Sequence, residues 1–117
     1  MESTLKKAVE NKEDKVYITV RGKVSRFLKD DEEGSSHQRW ILDGDEEDVG
    51  LSVMVIHNLE RFDRVPLELG DRMEVRGKYV WNDKGGLVHW TNHAVHGEVE
   101  GGYIKLLKKD QEPFLFQ

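Results

Sequence analysis

Residues 16–28, VYITVRGKVSRFL, decide the fold. Val16, Ile18, Val20, Gly22, Val24 and Leu28 take one side of a period-two pattern; Tyr17, Thr19, Arg21, Lys23 and Ser25 take the other. Successive side chains on a strand point to opposite faces, so the stretch predicts a long strand with one buried face. Gly22 falls in mid-strand, where a residue without Cβ permits the bend or bulge that a small barrel needs.

Upstream, Leu5, Ala8 and Val9 recur at helical spacing with Ser3 or Thr4 as cap, which predicts a short amphipathic helix. Downstream, HQRWILD (37–43) and GLSVMVIHN (50–58) read as strands two and three around the loop 43–50. GDRMEVRGKYVW (70–81) reads as strand four, with Met73, Val75, Gly77, Tyr79 and Trp81 on one face. Asn82 to Gly86 supply the left-handed conformations of a hairpin loop, and LVHWTNH (87–93) is then strand five. LERFDRVPLELGD (59–71) has room for a helical turn broken by Pro66. Tyr103 to Leu107 offers a C-terminal edge strand, and Phe114 to Phe116 can pin the end.

The expected fold is mainly β, a five-stranded OB-like β-barrel with a short N-terminal helix. A chain of 117 residues suits one domain. Residues 1–15 would form the helix packed on the barrel and 16–117 the barrel itself. The absence of cysteine excludes disulfides and thiol chemistry. No run approaches the roughly 18 apolar residues of a membrane span. The opening MESTLKKAVENKEDK lacks the hydrophobic core of a leader, so a cytoplasmic monomer is expected, or an exported one if a leader has been removed.

Eighteen Lys and Arg against 23 Asp and Glu leave a net charge of −5, which carries no global footprint for nucleic acid. Distribution is more informative. Residues 16–29 carry Arg21, Lys23, Arg26 and Lys29 with no acid, whereas acids crowd 30–33 and 43–48, where solvated loops are expected. The loop at 43–48 lacks the later glycine and terminal glutamate of an EF-hand.

The five histidines pose the chemical question. If strands two and three pair about Glu47, His37 falls opposite His57, and strand five, parallel to strand three, brings His93 and then His96 to the same rim. Imidazoles at a rim bind zinc or another divalent transition metal, giving His37, His57, His93 and His96 as the metal candidates. Strand-end histidines also satisfy loose backbone groups, the plainer alternative. His89 and His93 lie about 13 Å apart along a strand and cannot share an ion without a bend; His89 is expected inside, opposite Tyr79. No serine sits in a nucleophile elbow, and neither glycine pair has the lysine of a phosphate loop. His57 as base with Arg39 as phosphate clamp would suit a phosphodiesterase.

Single-stranded nucleic acid needs a basic groove with aromatic platforms. The candidates are Arg21, Lys23 and Phe27 on strand one, Arg39 on strand two, and Arg76 and Lys78 on strand four. Arg39 and Trp40 are neighbours, so only one of them faces outward.

GKVSRFLKDDEEGSSHQRWIL, HNLERFDRVPLELGDRMEVRGKYVWNDKGGLVHWTNH and HGEVEGGYIK together resemble a family of small bacterial proteins, the domain of unknown function 3465. The resemblance spans residues 16–105. It rests on His37, Gln38, Arg39, His57, Asn58, Pro66, Gly70, Asp71, Trp81, Asn82, Gly85, Gly86, His89, Trp90 and Thr91. It implies an OB-like barrel and brings no assigned reaction. The family often has a histidine directly after the threonine, where this chain has Asn92 and then His93, and many members begin with a leader. The reading is a binding module for single-stranded nucleic acid rather than an enzyme; a histidine-rich metal protein or metal-dependent phosphodiesterase comes second, and a protein-interaction module third.

Overall fold

The computed structural model describes residues 4–31, 36–59, 64–89, 102–107 and 114–116, with residues 31 and 114–116 as backbone only. The protein is mainly β. Its elements are α1 (Leu5–Glu10), β1 (Val16–Asp31), β2 (His37–Gly44), a 3-10 turn (Glu46–Asp48), β3 (Ser52–Asn58), β4 (Arg72–Val80), β5 (Leu87–His89), β6 (Tyr103–Leu106) and β7 (Phe114–Phe116). Strands β1 to β5 close by hydrogen bonds into a ring, β1-β2-β3-β5-β4-β1; β6 and β7 extend the sheet from β4. The β3–β5 contact is parallel and the other pairings are antiparallel.

Ring closure depends on the length of β1. Its first half pairs with β4, from Val16 beside Tyr79 to Lys23 beside Arg72, and its second half pairs with β2, from Gly22 beside Gly44 to Asp31 beside His37. The two ladders overlap at Gly22 and Lys23, so one strand serves two neighbours there. A Cβ on Gly22 would land on the carbonyl of Asp43, which explains the glycine by close approach of two backbones. A bulge then interrupts the β1–β2 register between Val24 and Arg26.

The interior follows the expected alternation on β1 and β4 but not on β5, where Val88 is the buried residue. Ile18, Val20 and Val24 of β1, Trp40 and Leu42 of β2, Val53 and Val55 of β3, Met73, Val75 and Tyr79 of β4, and Val88 of β5 are all buried in one core. Trp81 lies past the end of β4 and is only half-buried against that core. In the β4–β5 turn, Gly85 and Gly86 adopt φ of 107° and 85°, the left-handed region expected of them. They wrap the Tyr79 hydroxyl, which donates to the Gly85 carbonyl at 2.9 Å.

Both ends of the ring are covered. At one end α1, capped by Thr4 accepting from the Lys7 N–H at 3.1 Å, buries Leu5 and Ala8. A six-residue helix is too short to hold by itself, so this burial and a tie to Asp48 secure it. The Asp48 carboxylate accepts from the Lys6 N–H at 3.0 Å and is itself buried. That corrects the expectation of a wholly solvated acidic loop. At the other end lies 64–68, which has no helix among its described residues; Val65 is buried, and Pro66 leaves no amide to continue a turn. No helix of the described residues is long and apolar enough to cross a membrane.

Gly22→Ala should cost at least about 3 kcal/mol through the backbone collision. Gly50→Ala, at a left-handed position with open space around it, should cost only about 1 kcal/mol. Urea denaturation of both variants measures the difference, and equal losses would remove the close-approach argument.

Candidate nucleic-acid interface

The β2–β3 register decides where the histidines go. His57 stands opposite Gln38, and His37 opposite Asn58. Shifting a pairing by one residue exchanges faces. His57 therefore lies inside with Gln38, 1% exposed, while His37 lies on the outer face. The expected His37–His57 opposition is thus corrected: the two rings point to opposite sides of the sheet. His93 and His96 lie outside the described residues, and among the described residues no three His, Asp or Glu side chains gather as a metal group.

Gln38 explains why a polar residue occupies the inner row. Its Nε2 donates to the Val65 carbonyl at 2.9 Å, and its Oε1 accepts from the Val65 N–H at 2.8 Å. The side-chain amide imitates a strand partner for Val65 and fixes the covering segment to β2. Burial of Gln38 at 7% exposure is tolerable because both halves of the amide are satisfied. The indole N–H of the buried Trp40 next to it has no partner, and the structure offers no account of that.

His89 also departs from expectation. Val88 takes the inner place opposite Tyr79, and His89 pairs with Lys78 on the outer face. Burial, followed by the charges of Lys78 and His37, pushes the His89 imidazole below the ordinary histidine range. His37 and His89 thereby share one outward surface, with β3 between their strands, a placement that the spacing in the chain does not reveal.

The nucleic-acid candidates divide. The bulge after Val24 reverses the alternation, placing Phe27 beside Trp40 and Leu28 beside Arg39. Phe27 therefore leaves the row of Arg21 and Lys23, and it is 47% exposed where β1 runs beyond the core. Trp40 is inside and Arg39 outside. Arg39 is held by two donations, from Nε at 3.0 Å and Nη2 at 2.7 Å, to the Lys29 carbonyl. Phe27, Leu28, Gln38, Arg39 and the Arg64–Asp30 ion pair help to line a cleft of about 320 Å³.

Arg21 is committed elsewhere: its Nε lies 2.7 Å from Glu74 Oε1. Tyr103 donates to the other oxygen of Glu74 at 2.7 Å. Burial raises the affinity of Glu74 for a proton, but the hydrogen bonds from Tyr103 and Arg21, with the charges of Arg21 and Lys105, outweigh it and hold the carboxyl below its usual range. Asp45, Glu46 and Glu47 flank Arg21 in an adjoining cleft. Lys23 is exposed beside Arg72, which pairs with Asp45 at 3.0 Å.

The opposite side of the same surface differs in charge. Tyr17 is level with Lys78, and Lys78 with His89. One step on from the Val55–Val88 pair, His89 is level with Ile56, which is level with Arg39. Arg76, only 7% exposed, lies 4.4 Å from the centre of the Tyr17 ring. This belt crosses five strands without an acid in its row. Of its members, sequence reasoning found Arg39 and Lys78 but missed Tyr17, His89 and Ile56; Arg76, also found, packs on Tyr17 beside the row. The outward alternation of Tyr17 was the available signal for one, and His89 needed the register.

The fold and these faces define a small, mainly β protein with a closed five-strand ring and, among the described residues, a basic row that contains no acid. Residues 1–112 match the family described as Protein of unknown function (DUF3465), and the chain belongs to that family. The family expected from the motifs is the family found. No match to the chain is found among curated proteins or among solved structures.

Gln38→Leu keeps the volume and strands the N–H and carbonyl of Val65. It should cost about 2–3 kcal/mol and expose the 64–68 segment to hydrogen exchange while β4 stays protected. Unchanged exchange at Val65 would show that the amide does not hold the segment.

Proposed function

We propose that the ring is an OB-type barrel and that the protein is a binding module for single-stranded nucleic acid. The strand order β1-β2-β3-β5-β4-β1 with its parallel β3–β5 contact supports the first part. A fold alone assigns no function. The observation that carries the second part is the acid-free belt Tyr17–Lys78–His89–Ile56–Arg39 on a chain whose net charge is −5.

The belt combines what a single strand requires. Arg39 and Lys78 supply positive charge for phosphates, and the belt ends at the cleft of about 320 Å³ where Phe27 is exposed. The exposed aromatic face of Phe27 accepts a base of any sequence by stacking. Arg21 and Lys23 contribute less, because Glu74, Asp45 and their acidic neighbours offset them. Arg76 packs on Tyr17 from the same face of the sheet.

Fluorescence anisotropy with a labelled oligothymidylate tests this reading. Binding should weaken linearly in log–log salt plots with a slope of about −2 to −3, the release expected for three or four phosphate contacts. Lys78→Ala and Arg39→Ala should each weaken it by about fivefold or more, Phe27→Ala similarly, and Arg21→Ala by much less. No binding at low salt, or equal effects of Arg21 and Lys78, would overturn the proposal.

A further inference from the structure

We infer that the cleft shared by Phe27, Asp30 and Arg64 is a guanine-selective base site, in which Phe27 stacks on the base and the Asp30 carboxylate accepts from its Watson–Crick edge. The inference deepens the nucleic-acid reading and rests on it for the strand that carries the base, but its test can fail separately.

The cleft has the size and the two kinds of wall that one base needs. Its volume of about 320 Å³ stands at the lower end of the roughly 300–1,000 Å³ of small-ligand clefts, which suits a single ring system rather than a run of bases. Phe27, Leu28 and Leu67 supply apolar wall, and Phe27 is 47% exposed, a large ring that the fold leaves uncovered. The remaining wall is polar. Gln38 and Arg39 have fixed partners there in Val65 and the Lys29 carbonyl. Asp30, on β1, meets Arg64 from the segment between β3 and β4: Arg64 Nη2 donates to Asp30 Oδ2, and Nη1 lies 3.4 Å from Oδ1. A carboxylate has acceptor capacity for about four hydrogen bonds, so this pairing holds Asp30 in place without exhausting it.

Two acceptors side by side discriminate among bases by elementary chemistry. Guanine alone carries two adjacent donors on its Watson–Crick edge, N1–H and the N2 amino group, with the O6 acceptor next to them. Adenine and cytosine set one amino donor beside a ring-nitrogen acceptor, and thymine and uracil set their one N–H between two carbonyls. Each of these brings an acceptor toward the negative charge of Asp30, whereas guanine brings two donors to it and offers O6 to the guanidinium of Arg64. Stacking is indifferent to sequence. Phe27 therefore holds a base of any kind, and the ion pair chooses among them. Arg64 also offsets the charge of Asp30, which lets a carboxylate sit beside a strand of phosphates.

Fluorescence anisotropy on the full chain compares oligothymidylate with the same strand carrying one central guanine, and with one carrying hypoxanthine, which lacks the N2 amino group. The guanine strand should bind about tenfold more tightly than oligothymidylate, and the hypoxanthine strand should lose most of that gain. In Asp30→Asn the ratio of guanine-strand to oligothymidylate affinity should fall to about one; a ratio cancels any general effect of the lost charge on strand binding. Equal affinities in the unmodified protein, or a guanine preference that survives Asp30→Asn, would overturn the site. Guanosine 5′-monophosphate, titrated while the Phe27 ring is followed by NMR, separates this inference from the reading it rests on. If the nucleotide shifts Phe27, Asp30→Asn removes the shift and no oligonucleotide binds, the base site stands and the single-strand reading fails. If oligonucleotides bind with no preference for guanine, the base site fails alone.

Discussion

The architecture depends on the approach of two backbones at Gly22. A strand can hydrogen bond to two neighbours only along its edges, and β1 uses both edges in the few residues around Gly22, toward Gly44 on β2 and Met73 on β4. There the chain bends from one ladder into the other. A side chain would occupy the space needed by Asp43. Everything on the outer face follows from that closure, because it brings β4 and β5 round to meet β3 and aligns side chains from distant parts of the chain into rows.

A closed ring with an apolar lining still has two open ends, and the protein covers them by different means. α1 brings Leu5 and Ala8 to one end and is tied down through Asp48. At the other, Gln38 lends its amide to Val65 as though it were another strand. Each device places a polar group where hydrophobic packing alone would prefer none. Each is stable because the buried polar atom that matters has a partner.

Most of the ring was legible in the sequence, and the reason is period two. The alternations in 16–24, 37–43, 52–58 and 72–80 each mark a strand and its inner row, and Gly22 marks the bend. Legibility stopped where register mattered. A one-residue error in pairing β2 with β3 put His37 across from His57, when Gln38 occupies that place. The bulge after Val24 has no signature in composition, so Phe27 was assigned to the wrong row. For β5, the interior histidine expected opposite Tyr79 is Val88, since a period-two pattern over so few residues does not specify which face is in. That His37 and His89 share the outer face follows only from two intervening ladders and is invisible from spacing.

The functional reading turns on that outer face. Its two sides differ: Glu74 and Asp45 stand among the bases around Arg21, while the row of Lys78, His89, Ile56 and Arg39 contains no acid. A ligand with spaced negative charge and flat apolar groups fits the second side and the adjoining Phe27 cleft. This distinction exists only if β1 joins both ladders and the ring is closed. Isotope-edited NOE spectroscopy tests that closure most directly. Gly22 should show cross-strand contacts to both Gly44 and Met73; contacts to one of them alone would mean an open sheet, and the belt would lose the geometry that makes it continuous.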